Sequence, residues 1–116
     1  MKRQRAEGHG REGERRAALW LRLKGWRILA QRVKTPRGEI DLVARRGNLV
    51  SFVEVKWRAR KQDLDHAIDE YRLRRVAAAV ECVAHQYATN GEDVRIDVIL
   101  LAPGAMPHHI PNAWMP

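Results

Sequence analysis

Residues 38–58 read GEIDLVARRGNLVSFVEVKWR and decide the fold, because two apolar runs flank a Gly-Asn pair. Gly-Asn between such runs is a recognised signal for a β-hairpin with a two-residue loop. Strands are therefore predicted at residues 39–45 and 49–57. Both runs place apolar side chains on both faces, which is typical of strands that are covered on both sides. The hairpin is therefore expected inside a sheet that helices cover.

A loop of two residues also fixes which residues face each other across the hairpin. Asp41 then lies opposite Glu54, and Glu39 lies opposite Lys56. A loop longer by two residues would place Glu39 opposite Glu54, with Asp41 diagonal to it. Because side chains alternate between the two faces of a strand, the carboxylates share one face in either register.

The paired carboxylates of Asp41 and Glu54 point to a cation site. Two like charges opposed on a sheet repel each other, and apolar surroundings increase the cost. Lys56, two residues along on the same face, supplies one positive charge, and a divalent metal ion would supply two more. Oxygen ligands alone favour Mg²⁺ or Mn²⁺ over zinc.

Such an ion polarises a phosphate and lowers the pKa of a bound water, while Lys56 could orient that water, help to deprotonate it, or steady charge on phosphorus. This is what a phosphodiester hydrolase needs. The alternative that the residues leave open is an ion-paired strand end, in which Lys56 only neutralises an acid.

Outside the hairpin, periodicity predicts an α/β chain in the order α-β-β-β-α-β, which indicates a mixed sheet flanked by helices. Residues 1–10 are polar and basic and are expected to form a flexible N-terminal arm, which either contacts phosphates or is simply a terminal segment. Residues 11–116 are expected to form a single domain. The predicted elements are a helix at 11–24, strands at 26–33 and 94–101, a helical region at 64–88 with a kink or break near 71–73, and an extended piece at 109–110.

The formal net charge of +8 favours an anionic partner, with nucleic acid first and an incidentally basic protein as the alternative. Several basic residues follow the hairpin and are candidates for binding phosphate. Acidic residues interrupt this series, so the alternative is that these residues form a solvated helix face. The single cysteine, Cys82, excludes an intrachain disulfide. No apolar run is long enough to predict a membrane span. The cytoplasm is therefore the default location. The candidate phosphate-binding residues are Arg58, Arg60, Lys61, Arg72, Arg74 and Arg75.

Two further acids have roles that spacing leaves open. Glu14 lies one turn before Ala17 and Ala18 on the inward stripe of the first helix. It is either a metal ligand or a glutamate that faces the helix dipole or pairs with an arginine. Asp97, in RIDVILL, is either a partner for Arg95 or a helper near the sheet end.

The sequence resembles the YraN-like family of small bacterial proteins, a group of predicted endonucleases in the PD-(D/E)XK nuclease superfamily that is likened to archaeal Holliday junction resolvases. The resemblance is carried by GERRAALWL, the hairpin segment, YRLRRV, RIDVILL and HHIPNAW. It implies a restriction-endonuclease-like fold and metal-dependent cleavage of DNA, branched or damaged, with a homodimer by analogy.

Residue by residue, the resemblance implies that Asp41 is the first metal-binding acid, and that Glu54 and Lys56 form the E-x-K element. The backbone carbonyl of Val55 would complete the metal shell. Glu14 would be the glutamate that the first helix brings to the site.

The chain departs from the family pattern twice. A Phe-Gly pair usually follows the second hairpin strand, where this chain reads RKQDLDHAID, and Arg72 stands where a lysine is usual. Arginine keeps the charge and can hold phosphate, but it cannot serve as a base. Both departures concern substrate contacts, and the role of Glu39 in GEID is left open.

Three functions are therefore weighed. The first is a metal-dependent endonuclease, the second is a DNA- or RNA-binding module on a nuclease scaffold without cleavage, and the third is a structural or partner-binding protein. A pure binder has no need of opposed carboxylates, which favours the first.

Overall fold

The computed structural model describes residues 2–60 and 69–114, which form two helices and five strands. The order is the predicted α-β-β-β-α-β, with the extended piece near the C-terminus as a fifth strand. Among the described residues, no helix is both long and apolar enough to cross a membrane. The elements are α1 (Lys2–Leu23), β1 (Arg27–Thr35), β2 (Gly38–Arg46), β3 (Leu49–Trp57), α2 (Glu70–Tyr87), β4 (Asp93–Leu101) and β5 (His108–Ile110).

The strands form one mixed sheet in the order β1-β2-β3-β4-β5, in which only β3 and β4 run parallel. Each helix covers one face, so the predicted mixed sheet flanked by helices is confirmed. The α1 core is built from Ala17, Ala18, Leu21, Leu42, Ala44, Val53, Ile99 and Leu101 with Trp26. The α2 core includes Ile40, Val43, Phe52, Leu73, Val76, Val80, Val83 and Val98.

The predicted hairpin register is confirmed from the turn as far as Leu42, which pairs with Val53, while Arg46 pairs with Leu49. The two-residue loop begins at Gly47, whose φ of 60° suits a type II′ turn. The longer loop is therefore excluded.

The β2–β3 ladder does not reach the predicted pairs Asp41–Glu54 and Glu39–Lys56. The reason lies in Asp41, whose Oδ2 accepts a hydrogen bond from the backbone N–H of Val55 at 2.8 Å. The Asp41 carboxylate therefore accepts from the Val55 N–H, which in a continued ladder would donate to a backbone carbonyl of β2.

The alternation of β2 also breaks at Asp41. Leu42 packs in the α1 core, yet Ile40, two residues away, packs in the α2 core. On β1, Gln31 pairs with Leu42 and Val33 with Ile40, and the intervening Arg32 has a φ of 53°. Both strands are thus irregular at Asp41 and at Arg32 beside it.

The start of the first helix differs from the prediction, and the start of the second is marked by an N-cap. Helix α1 begins at Lys2 instead of residue 11, because a helix anchored by packing extends at one backbone hydrogen bond per added residue. Helix α2 begins at Glu70, where Asp69 is the N-cap and its side chain accepts from the Tyr71 N–H. The change of apolar phase near 71–73 lies close to this helix start. The predicted helix at residues 64–68, and with it the choice between a kink and two consecutive helices, lies outside the described residues.

Candidate functional site

The hairpin acids lie in an open cavity of about 390 Å³ between the sheet and the start of α2. The strands contribute acidic side chains to it, and α2 contributes basic and aromatic ones. Asp41 and Glu54 are therefore brought together as predicted, and Glu39 lies with them. The lining residues are Gly38, Glu39, Asp41, Glu54, Asp69, Tyr71, Arg72, Arg75 and Val76.

Asp41 is half-buried and titrates far from its ordinary range. Burial raises the pKa of Asp41 to about 7, the negative charge of Glu54 adds to the rise, and the hydrogen bond from the Val55 N–H opposes it. Such a shift means that a second negative charge is disfavoured at this position. A cation bound between Asp41 and Glu54 would remove that penalty.

Glu54 has a cationic partner that comes from the other layer of the fold. Its side chain is 7% exposed, and its Oε1 lies 3.0 Å from Nε of Arg72, whose own side chain is 51% exposed. Since a buried carboxylate needs a partner, Arg72 supplies the cation that the hairpin sequence called for. Sequence reasoning named Arg72 for phosphate binding and missed this contact.

Lys56 is half-buried within electrostatic reach of both acids. Its pKa is lowered, first by burial and then by the charges of Arg72 and Arg58, although Glu54 and Asp41 act in the opposite direction. A lysine with a lowered pKa gives up its proton more readily than a fully solvated lysine does.

Glu14 reaches the same region from α1. The close packing of α1 against the end of β3 needs Gly13, because a Cβ there would lie 2.6 Å from Nε1 of Trp57. Glu14 is buried, and its charge helps to raise the pKa of Asp41. Its Oε2 lies 2.8 Å from Nε of Arg32, so Glu14 does pair with an arginine, one of the alternatives left open by its spacing.

Arg32 is the site residue that sequence reasoning missed altogether. It combines a left-handed backbone with an ion pair to Glu14, and the charges of Glu39 and Asp41 act on it as well. No local signal in the sequence around it distinguishes it from the other exposed arginines, since a positive φ leaves no trace in residue type unless glycine is used.

The donor set fits a magnesium-type ion better than a zinc cage. Within residues 2–60 and 69–114, no group of three or more His, Cys, Asp or Glu side chains converges to hold a metal ion. Mg²⁺ is usually bound through one or two carboxylates, with water and substrate phosphate completing the shell. The desolvated pair of Asp41 and Glu54 meets that requirement, and the backbone of Val55 lies beside it.

The predicted phosphate-binding residues divide into two groups. Arg72 and Arg75 line the cavity, whereas Arg74 is an exposed partner of Glu70 at 3.7 Å and does not line it. Arg58 and Arg60 are not among the lining residues, and Lys61 lies outside the described residues.

Asp97 belongs to a separate polar network among the buried side chains of the sheet. Its carboxylate accepts from Arg95 at 2.7 and 2.8 Å, lies 2.8 Å from Nε2 of His109, and accepts from the Asn112 N–H at 2.9 Å. Burial opposes its ionisation, but these hydrogen bonds hold the pKa of Asp97 well below its usual range. Asp97 is therefore the partner of Arg95 and an anchor for β5.

Comparison with known proteins extends over the whole site. Residues 13–101 match the family described as uncharacterised protein family UPF0102. A UPF0102 protein of Erythrobacter litoralis is 77% identical over 116 residues, and one of Sphingopyxis alaskensis is 60% identical over 116 residues, with all of each chain covered. A UPF0102 protein of Caulobacter vibrioides is 47% identical over 108 residues, which are 90% of this chain and 85% of the relative. The matched span includes the acids and basic residues of the cavity.

Proposed function

This chain belongs to uncharacterised protein family UPF0102, and we propose that it is a metal-dependent nucleic-acid phosphodiester hydrolase, an endonuclease that acts on branched or damaged DNA. The observation that carries the proposal is the desolvated pair of Asp41 and Glu54, in which the pKa of Asp41 is raised to about 7. A carboxylate whose pKa is shifted by burial and by a second charge, in an open cavity, is a candidate functional group.

Each residue has a defined task in this proposal. Asp41 and Glu54 would hold Mg²⁺ or Mn²⁺ with the carbonyl of Val55. When bound, such an ion polarises the scissile phosphate and lowers the pKa of a water. Lys56 in its neutral form would accept a proton from the attacking water, or in its protonated form would stabilise the charge that develops on phosphorus. Glu14 pairs with Arg32, on which the charge of Asp41 also acts, and would be a further acid near the metal site.

The overall charge supports nucleic acid as the substrate. A net charge of +8 draws a polyanion towards the protein, and Arg72 and Arg75 line the cavity that contains the acids. A phosphate that approaches the acids therefore meets guanidinium groups first, which offset the repulsion between carboxylates and a polyanion.

A second candidate, a nucleic-acid-binding module without cleavage, has one observation in its favour. Glu54 and Glu14 already have arginine partners at 3.0 and 2.8 Å, so the acids are neutralised in the absence of any other cation. Salt-sensitive DNA binding without cleavage would favour this candidate.

The test compares wild type with Asp41→Asn and Lys56→Ala on linear, flapped and four-way DNA, each with Mg²⁺, Mn²⁺ or EDTA. We expect metal-dependent cleavage of at least one substrate by wild type, and at least about 100-fold slower cleavage by either variant. Arg74→Gln is the matched surface control and should cut like wild type. If no substrate is cut faster by wild type than by both variants, the hydrolase proposal fails.

A further inference from the structure

Tyr71 is an unusually exposed aromatic residue. It is 67% exposed, whereas every other Trp, Tyr or Phe in residues 2–60 and 69–114 is buried or half-buried. Its backbone is fixed at the start of α2, because the Asp69 side chain accepts from its N–H at 2.9 Å. The residue lines the same cavity as Asp41 and Glu54. An aromatic side chain on a fixed backbone thus faces solvent beside the acids.

Arg75 lies one helical turn after Tyr71 on the same face of α2, and it lines the same cavity. The two neighbouring arginines form ion pairs, Arg72 with Glu54 and Arg74 with Glu70. For the guanidinium of Arg75, no hydrogen bond or ion pair is found within the part of the chain that the structure describes. Among the described residues that line the cavity, Arg75 is therefore the cation that can receive an incoming anion without breaking an ion pair.

An aromatic ring and a guanidinium beside the acids of the proposed hydrolase match the two halves of a nucleotide. The ring offers a stacking surface for a base, and the guanidinium offers a contact for phosphate. The cavity volume of about 390 Å³ falls within the range of small-molecule sites. Inside a duplex both faces of each base are covered by neighbouring bases, so only an unpaired base can stack on Tyr71.

We infer that Tyr71 and Arg75 form a subsite for one unpaired nucleotide next to the acids, so that the substrate is nucleic acid with a single-stranded segment at the point of cleavage. The subsite rests on the proposed hydrolase function and specifies its substrate class: a single strand, flap or fork, and not an uninterrupted duplex.

The test measures binding in EDTA, where metal-dependent cleavage is absent. Fluorescence anisotropy is recorded for a labelled single-stranded oligodeoxynucleotide and for the matching duplex, with wild type, Tyr71→Ala and Tyr71→Phe. Tyr71→Ala is expected to weaken single-strand binding about fivefold or more and to leave duplex binding unchanged, because stacking on one base is lost. Tyr71→Phe keeps the stacking surface and should bind like wild type. A labelled oligoribonucleotide run alongside shows whether the subsite accepts RNA as well.

Arg75→Gln and Arg74→Gln supply the matched pair for the phosphate contact. Arg75→Gln should weaken binding and reduce its salt dependence by about one counterion, whereas Arg74→Gln should do neither. Wild-type single-strand binding that is absent, or that Tyr71→Ala leaves unchanged or lowers no more than duplex binding, overturns the inference. That result leaves the cleavage test with Asp41→Asn unaffected, and a failed cleavage test likewise leaves the binding result standing.

Discussion

At the level of single residues, the fold sets the charge of Asp41 through burial and through the neighbouring Glu54. An aspartate in an unfolded chain titrates near its ordinary pKa of about 3.9. In the folded protein the pKa of Asp41 is about 7, so between these values the folded state holds the extra proton. Stability from this group is therefore complete below the lower value and is lost as pH rises through the higher one.

Asp41→Asn should consequently stabilise the metal-free protein at pH 8 by on the order of 1–4 kcal/mol, and the gain should shrink towards zero near pH 4. Asparagine can still accept from the Val55 N–H, so the change isolates the charge. Urea unfolding in EDTA across this pH range measures the difference. A variant that is less stable than wild type at pH 8 would show that the ionised carboxylate is not penalised.

Arg72 determines how readily Glu54 can take another cation, because its guanidinium lies 3.0 Å from the carboxylate. Arg72→Gln removes the competitor and one positive charge, so Mn²⁺ should bind several-fold tighter by calorimetry. In EDTA the same variant should be less stable by about 1 kcal/mol, since the Arg72 side chain is half exposed and its pairing is partly screened.

Arg74→Gln, one turn after its own partner Glu70, controls for the loss of charge on α2. It should change neither Mn²⁺ affinity nor stability measurably. Equal Mn²⁺ affinity in wild type and Arg72→Gln would mean that Arg72 and the metal do not share Glu54.

At the level of elements, the break in β1 and β2 is what frees Asp41 from the sheet. Arg32 stands at that break with a φ of 53°, a conformation that costs an L-residue roughly 1–2 kcal/mol. Its pairing with Glu14 offsets part of this cost.

Glycine should therefore be better tolerated than alanine at position 32, in reverse of the usual order in strands. Both Arg32→Gly and Arg32→Ala lose the ion pair, but only glycine adopts the observed φ without strain, so Arg32→Gly should be more stable by about 1 kcal/mol. Urea unfolding measures the difference. Lys34→Gly and Lys34→Ala, on the same strand, should show the usual order, with alanine more stable. The same order at both positions would contradict the strained backbone of Arg32.

The hairpin was predictable because its information is local. Gly47 and Asn48 fix the loop, and the loop fixes the register as far as Leu42. The interactions that complete the site are non-local: Glu14 with Arg32, and Glu54 with Arg72, are each separated by 18 residues in the chain. Their pairing depends on how two layers pack, which periodicity does not specify.

Helix boundaries show the same division. The N-cap at Asp69 is a local signal, and it lies close to the break that the change of apolar phase near 71–73 predicted. The start of α1 at Lys2 was missed because polar residues and glycines carry no amphipathic pattern.

At the level of the whole molecule, stability and the candidate site lie on different side-chain networks. Asp97 is wholly buried and holds β4 to β5 and to the segment after β5 through His109 and Asn112. None of these residues lines the cavity of Asp41. The two networks can therefore be perturbed separately.

Asp97→Asn should lower the free energy of unfolding by about 3 kcal/mol at pH 7, because the half-buried Arg95 loses its countercharge within a buried hydrogen-bond network. Because the folded pKa of Asp97 is depressed, this stabilisation in wild type is fully present above the ordinary carboxyl pKa and is lost progressively as pH falls below it. Urea unfolding at low temperature measures the change, and the exposed Asp93→Asn on the same strand is the control. A loss below about 1 kcal/mol would contradict the anchoring role of Asp97.

The most direct test of the central claim is the rate of phosphodiester cleavage by wild type and Glu54→Gln as Mg²⁺ is titrated against the best-cut DNA. Glutamine preserves the shape and removes the charge of a residue that lines the cavity. We predict that the wild-type rate rises with Mg²⁺ to a plateau and that Glu54→Gln stays at least about 100-fold slower throughout. A wild-type rate that does not respond to Mg²⁺ or EDTA, or a Glu54→Gln rate equal to it, would contradict the claim.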